Sequence, residues 1–269
     1  MTAFTLTGAQ ASRPAHAITN QAAPSVNFLR LAYVEARKLV DTRAARWLII
    51  ATIILSGVIV GILLALPRDA DIPAPSVTDL ISTGTMALHM LFPIMAIMLA
   101  AGEWTQHGAV VTFTVEPRRL RVIAAKIVAV TLASVAIFLL MGLATVAVAG
   151  VASAAGANVI WTINASQIAW VGVTCVLSAL TGLGLGLLLM NTAGAIVFYF
   201  VVPTLMQLVG GFWERASEIV QWLTPDTAFA PLTMGVGDLH WGKIATATAF
   251  WVVLPLVAGA VRTVRREVK

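Results

Sequence analysis

The chain has 269 residues, of which 59% are hydrophobic and 11% charged, with a formal net charge of +5. Soluble domains run at roughly 45–50% apolar and about 25% charged, so an ordinary soluble enzyme is excluded, and no nucleic-acid partner is expected because the basic residues flank apolar runs. The single cysteine, Cys175, rules out a disulfide framework and a thiolate metal cluster.

Residues 1–27 are rich in Ala, Thr, Ser, Gln and Pro and lack an apolar run of signal-peptide length, which predicts a disordered cytosolic tail. Residues 28–269 read as one membrane domain. Its first element, Phe28–Arg46, is expected to be an amphipathic helix. At 100° per residue, Phe28, Leu29, Ala32, Tyr33, Ala36, Leu39, Val40 and Ala44 share one arc, and Arg30, Arg37, Lys38 and Asp41 fall opposite. Arg43 intrudes near the end, where its stem can snorkel. Arg37 and Asp41 are spaced for an i,i+4 pair. Such a helix lies flat in the inner headgroup layer before the chain turns into the membrane; a straight extension of the first span is the alternative.

Six apolar stretches follow: Trp47–Leu66, Leu80–Ala101, Ile127–Val148, Ile168–Met190, Thr192–Gly211 and Ile244–Val261. Each is near the ~20 residues that cross a hydrocarbon core. The fold class is therefore all-α, a polytopic membrane protein with six transmembrane helices. If the first span runs outward, only Arg68, Arg215 and Lys243 of the 17 Lys and Arg lie outside, which places both termini in the cytosol.

The spans contain no Asp, Glu or Arg, and Lys126 sits at a cytosolic edge. Ion-coupled carriers usually need intramembrane ionisable groups. His89 stands near mid-membrane and reads first as a hydrogen-bonded packing residue. Gly237–Ile244 approaches a phosphate-binding loop, but Ile244 replaces the metal-holding hydroxyl and no strand precedes it. Gly182 and Gly186 form a small-residue face for close helix packing, with the partner helix open. In the second span Ser82, Met86, His89 and Pro93 share a face with Thr85 beside it. In the fifth, Tyr199, Pro203, Met206 and Gln207 do likewise, and Asn191 with Thr192 can cap the start. A polar face in lipid must meet protein or a wet cavity, so these residues either line a translocation path or pack between helices.

The segment Gly102–Arg121 is too apolar for a solvated loop, since Ala109, Val110, Val111, Phe113 and Val115 need cover. Pro117 suits the first turn of the third span. An apolar loop among charges suggests a docking surface for a soluble partner. Glu35-Ala36-Arg37-Lys38 with Thr42-Arg43 and Trp47, then Gly102-Glu103, Gly108, Pro117-Arg118-Arg119 and Lys126, make a set. With six spans and internal termini, the chain from Phe28 onward resembles the permease subunits of type-2 ATP-binding-cassette (ABC) exporters. Gly108-Ala109 departs from the usual Gly-Thr.

The resemblance implies a cytosolic coupling helix between spans two and three. It would seat Glu103, Trp104, His107, Gly108, Val111, Phe113, Pro117 and Arg118 on a separate ATPase subunit. Glu35, Arg37, Lys38 and Arg43 mark the N-terminal helix. It further implies two ATPase copies, a second permease in a homo- or heterodimer, and a route lined by spans two and five. Short re-entrant helices would follow span five. Trp213–Lys243 is long enough for them, with Trp213, Trp222 and Trp241 as interfacial anchors, although an ordinary external loop fits too. ATP and magnesium belong to the partner, and no cofactor is expected on this chain. The expected setting is a bacterial plasma membrane. The expected cargo is amphipathic or hydrophobic, because no fixed charge lines the spans. A polytopic membrane enzyme or a non-transporting regulator is the alternative, and a secondary carrier ranks third.

Overall fold

Asn27 accepts the Leu29 amide through its side chain at 3.2 Å and so opens the first helix, α1 (Phe28–Asp41). This computed structural model describes residues 27–66, 73–105, 118–235 and 237–266. At Thr42 the backbone is extended (φ −80°, ψ 146°), and the hydroxyl accepts from Ala45 N at 3.1 Å to start α2 (Arg43–Ala65). The N-terminal helix therefore ends at Asp41 rather than running to Arg46, because Thr42 is spent capping the next helix.

The second span is built from two pieces, α3 (Val77–Gly84) and α4 (Met86–Thr105), interrupted at Thr85. A capping box between Ser76 and Asp79 opens it. Then come α5 (Arg119–Ala154), α6 (Ala165–Leu189) and α7 (Thr192–Phe212). Asn191 caps α7 at the Gly194 amide, 2.8 Å, as its position predicts. Two short helices follow, α8 (Glu214–Leu223) and α9 (Pro225–Thr233). The last span runs through α10 (Trp241–Thr248), a π-helical turn at Ala249–Val253, and α11 (Leu254–Arg265). Pro255 lies two residues past that turn. A wider turn accommodates a residue with no amide hydrogen.

Six helical units are long and apolar enough to cross a membrane: Arg43–Ala65, Val77–Thr105, Arg119–Ala154, Ala165–Leu189, Thr192–Phe212 and Trp241–Arg265. By this measure the chain is a multi-pass membrane protein. Most run several residues past the apolar stretches. Hydropathy stops at the first charge, whereas the helices continue through Glu103, Arg119, Arg121 and Lys126.

Helix α6 is the hub. A Cβ at Gly182 would lie 2.5 Å from Pro93 O, one at Gly186 2.8 Å from Ala100 Cβ, and one at Gly184 2.9 Å from Leu256 N. The small-residue face thus lies on α4, and Gly184 opposes α11. Around these contacts pack Leu88, Phe92, Met95, Ala96, Cys175, Ala179, Leu183 and Leu187. By contrast α7 buries only Ala195.

Gly182→Ala should lower the thermal stability of the detergent-solubilised protein by about 1–3 kcal/mol, the usual range for overpacking. Gly57→Ala, where an added methyl meets nothing within 4 Å, should stay within about 0.5 kcal/mol of the parent. Scanning fluorimetry of both variants checks the contrast.

Candidate functional site

At one end of the bundle, three helices bring four charges into a closed ring. Lys126 on α5 lies 2.6 Å from Glu35 Oε2 and 2.9 Å from Glu103 Oε1. Lys38 lies 2.7 Å from Glu35 Oε1 and 2.7 Å from Glu103 Oε1. Glu35 and Lys38 come from α1, and Glu103 from the last turn of α4. Each carboxylate meets both ammonium groups, so the ring is neutral. Lys126 also donates to Leu99 O at 3.4 Å.

Its side chains are 1% (Glu35), 3% (Lys126), 14% (Glu103) and 36% (Lys38) exposed. Two fully buried ions of opposite sign survive removal from water only with close geometry and additional bonds. Here both conditions hold. Burial works to lower the Lys38 pKa, but the adjacent Glu103 and Glu35 carboxylates outweigh it and raise the value above 10.5.

The seat under the ring is apolar. Leu31 and Ala32 pack on Val122 and Ala125, with Phe28 and Val128 at the margin, while Leu39 joins the main core. The helix docks through Phe28, Leu31, Ala32, Glu35 and Leu39. Leu29, Tyr33 and Val40 remain 73%, 67% and 45% exposed. The single apolar arc read from sequence is therefore two faces, one packed on protein and one open. Arg37 and Asp41 form their expected pair, 3.0 Å apart and exposed. Arg43 is exposed as the first residue of α2.

Trp104, next to Glu103, is held from another direction. The Arg266 guanidinium carbon lies 5.2 Å from its ring centroid, and Arg266 Nη1 donates to Met190 Sδ at 2.9 Å. Arg119 Nη1 donates to Thr263 O at 2.8 Å and Val264 O at 3.3 Å, and also reaches Arg266 O. Arg262 donates to Leu188 O at 2.5 Å. Arg119 and Arg262 thus close the C-terminal ends of α11 and α6, where carbonyls lack helical donors. The C-terminal segment fastens the ends of spans two, three and four together. Arg118 is exposed at the N-cap of α5.

His107, Gly108, Val111, Phe113 and Pro117 lie outside the described residues, as do residues 1–26 of the tail. The ring therefore stands at the root of the 106–117 segment. Its joining of Glu35 to Lys126 was missed in the sequence. Glu35 sits in a mostly apolar face, and that was the available signal.

The two mid-span faces are only partly brought together. His89 Nε2 is 3.0 Å from Thr174 Oγ1 and its Nδ1 is 3.2 Å from Thr85 O. Thr85 is buried, its hydroxyl donating to Ser82 O at 2.9 Å, and Pro93 packs on Gly182. This face meets span four. Met86 points away, 55% exposed. From span five, Tyr199 OH donates to His89 O at 3.3 Å. Pro203 and Met206 are half-buried and Gln207 is exposed.

At the opposite end, Ala228 and Phe229 of α9 pack with Ile244 and Ala247 beside Trp170. Trp213, Trp222 and Trp241 are exposed by 72%, 47% and 59%. Residues 237–240 are irregular, and Gly237 takes φ +85°, so no strand leads into Lys243. Among the described residues no three His, Cys, Asp or Glu side chains gather as a metal site.

No protein-family model matches this sequence, and no curated protein is significantly similar to it.

Glu35→Gln should cost about 3–5 kcal/mol of stability, because it leaves Lys126 buried beside one carboxylate instead of two. Glu35→Gln with Lys126→Met should cost clearly less than the two single changes summed. Lys38→Met should cost less than Glu35→Gln, since a third-exposed ammonium is screened by water. A raised lysine pKa stabilises below the unfolded value and loses that contribution as pH rises through the folded one. The gap between Lys38→Met and the parent should therefore hold from pH 7 to 9 and shrink only above 10.5. Unfolding midpoints across this pH range check it.

Proposed function

We propose that this chain is the membrane-spanning permease subunit of an ATP-driven ABC exporter, with ATP and magnesium held by a separate ATPase subunit. The observation that carries the reading is the four-charge ring at the root of the 106–117 segment. It ties the N-terminal helix, the end of span two and the start of span three into one joint. A partner seated on that segment pushes on Glu103 and Trp104, and the joint passes the displacement to three helices at once.

The charge bias supports placing this end in the cytosol. Leu29, Tyr33 and Val40 then face the inner headgroup layer while Arg30 and Arg37 reach water, as an interfacial helix requires. Two ATPase copies serve a pair of permease chains in a plasma membrane. Export follows if cargo gains different contacts in inward and outward states, since only differential binding shifts a population. The apolar spans favour an amphipathic or hydrophobic small molecule.

Affinity isolation from native membrane in mild detergent should recover an ATPase subunit with this chain. Glu103→Gln and Trp104→Ala should keep the complex assembled and lower cargo-stimulated ATP hydrolysis about tenfold, a loss of ~1.4 kcal/mol in coupling. Recovery of the chain as a stable monomer with hydrolytic turnover of its own, or labelling of residues 102–121 from outside intact cells, would refute the reading.

A further inference from the structure

Proline carries no amide hydrogen, so Pro93 leaves the carbonyl four residues earlier, His89 O, without its helical donor. Hydrocarbon offers no water in compensation, and a neighbouring side chain has to supply the bond. Tyr199 of α7 supplies it, its hydroxyl 3.3 Å from His89 O. The phenol is the donor, and among the described residues His89 O is the acceptor its hydroxyl bonds.

The surroundings give this bond unequal partners. The His89 ring is tied to Thr174 of α6, and α4 and α6 touch so closely at Gly182 and Gly186 that a methyl group does not fit. Helix α7 has no comparable grip, with Ala195 its one buried residue. The carbonyl therefore belongs to a fixed core and the donor to a loosely held helix.

We infer that Tyr199 is a latch: its hydroxyl stands in for the amide that Pro93 lacks and holds span five against the core formed by spans two and four. When α7 swings away, His89 O is left unpaired in an apolar setting, which returns the helix to its place. No ATPase partner enters this device, so it goes beyond the permease reading and can fail or stand separately from it.

The chain's single cysteine is a built-in reporter. Cys175 is 1% exposed and its Sγ lies 3.6 Å from His89 Nδ1, behind the latch. Methyl methanethiosulfonate should label Cys175 of the purified Tyr199→Phe protein about fivefold faster than the parent, the change expected from one net hydrogen bond. In a Pro93→Ala background the amide is restored, and Tyr199→Phe should change the rate by less than about twofold. Pro93→Ser restores the same amide and serves if Pro93→Ala does not fold. An unchanged or slower rate in Tyr199→Phe, or equal acceleration with and without Pro93, overturns the latch.

Discussion

A lysine ammonium buried to 3% exposure cannot stand alone, and the basic end of this molecule is organised around that fact. Lys126 lies on the second turn of a 36-residue helix and is cut off from water by α1 and α4. The desolvation of such an ion amounts to several kcal/mol, offset only by near-contact partners. Glu35 and Glu103 are those partners, and Lys38 balances the second negative charge. Docking of α1 is therefore conditional. Withdraw that helix and Lys126 loses a carboxylate, while Glu35 enters whatever medium replaces the protein. An amphipathic helix that could float in an interface is instead pinned in one register.

Apolar packing reinforces the pin without specifying it. Leu31, Ala32, Val122 and Ala125 form an apolar seat whose contacts carry no direction. Four charges in alternation do not tolerate sliding, because a one-turn shift of α1 by ~5.4 Å separates both pairs that cross to its neighbours, Glu35–Lys126 and Lys38–Glu103. The opposite arrangement holds between α4 and α6. There no ion fixes the register, and glycines facing backbone atoms do so by excluding anything larger than hydrogen. Each device suits its surroundings: ion pairs at the end of the bundle where Lys38 still touches water, close steric fit along the uncharged stretch from Pro93 to Ala100.

Those differences explain what was legible in the sequence. Six spans were visible because twenty apolar residues leave few other fates. The Asn191 cap and the Arg37–Asp41 pair were visible because both depend on spacing within one helix. The ring was not, since Glu35, Glu103 and Lys126 are separated by dozens of residues and a hydropathy reading ends a span where charge begins. For the same reason Arg262 and Arg266 read as topology markers, although Arg262 bonds the Leu188 carbonyl and Arg266 reaches Met190 and the Trp104 ring. The division of the α1 apolar arc was hidden too. Periodicity shows that a face is apolar but not whether protein or open surroundings lie against it.

Span two connects these regions and is itself discontinuous. It breaks at Thr85 and loses a backbone bond at Pro93, ten residues or about 15 Å of helix before Glu103. The stretch between Pro93 and Glu103 is clasped by α6 through Ile97 and Ala100 at Gly186, and by the ring at its end. The stretch before Pro93 is tied by His89 to Thr174 and Tyr199. A displacement at Glu103 therefore meets a stiff half first, then a point where the helix is already missing a bond. Proline-freed carbonyls are where a helix bends with least loss, because no intrahelical bond remains to break. The place where span two yields most readily is thus the place where span five is attached to it.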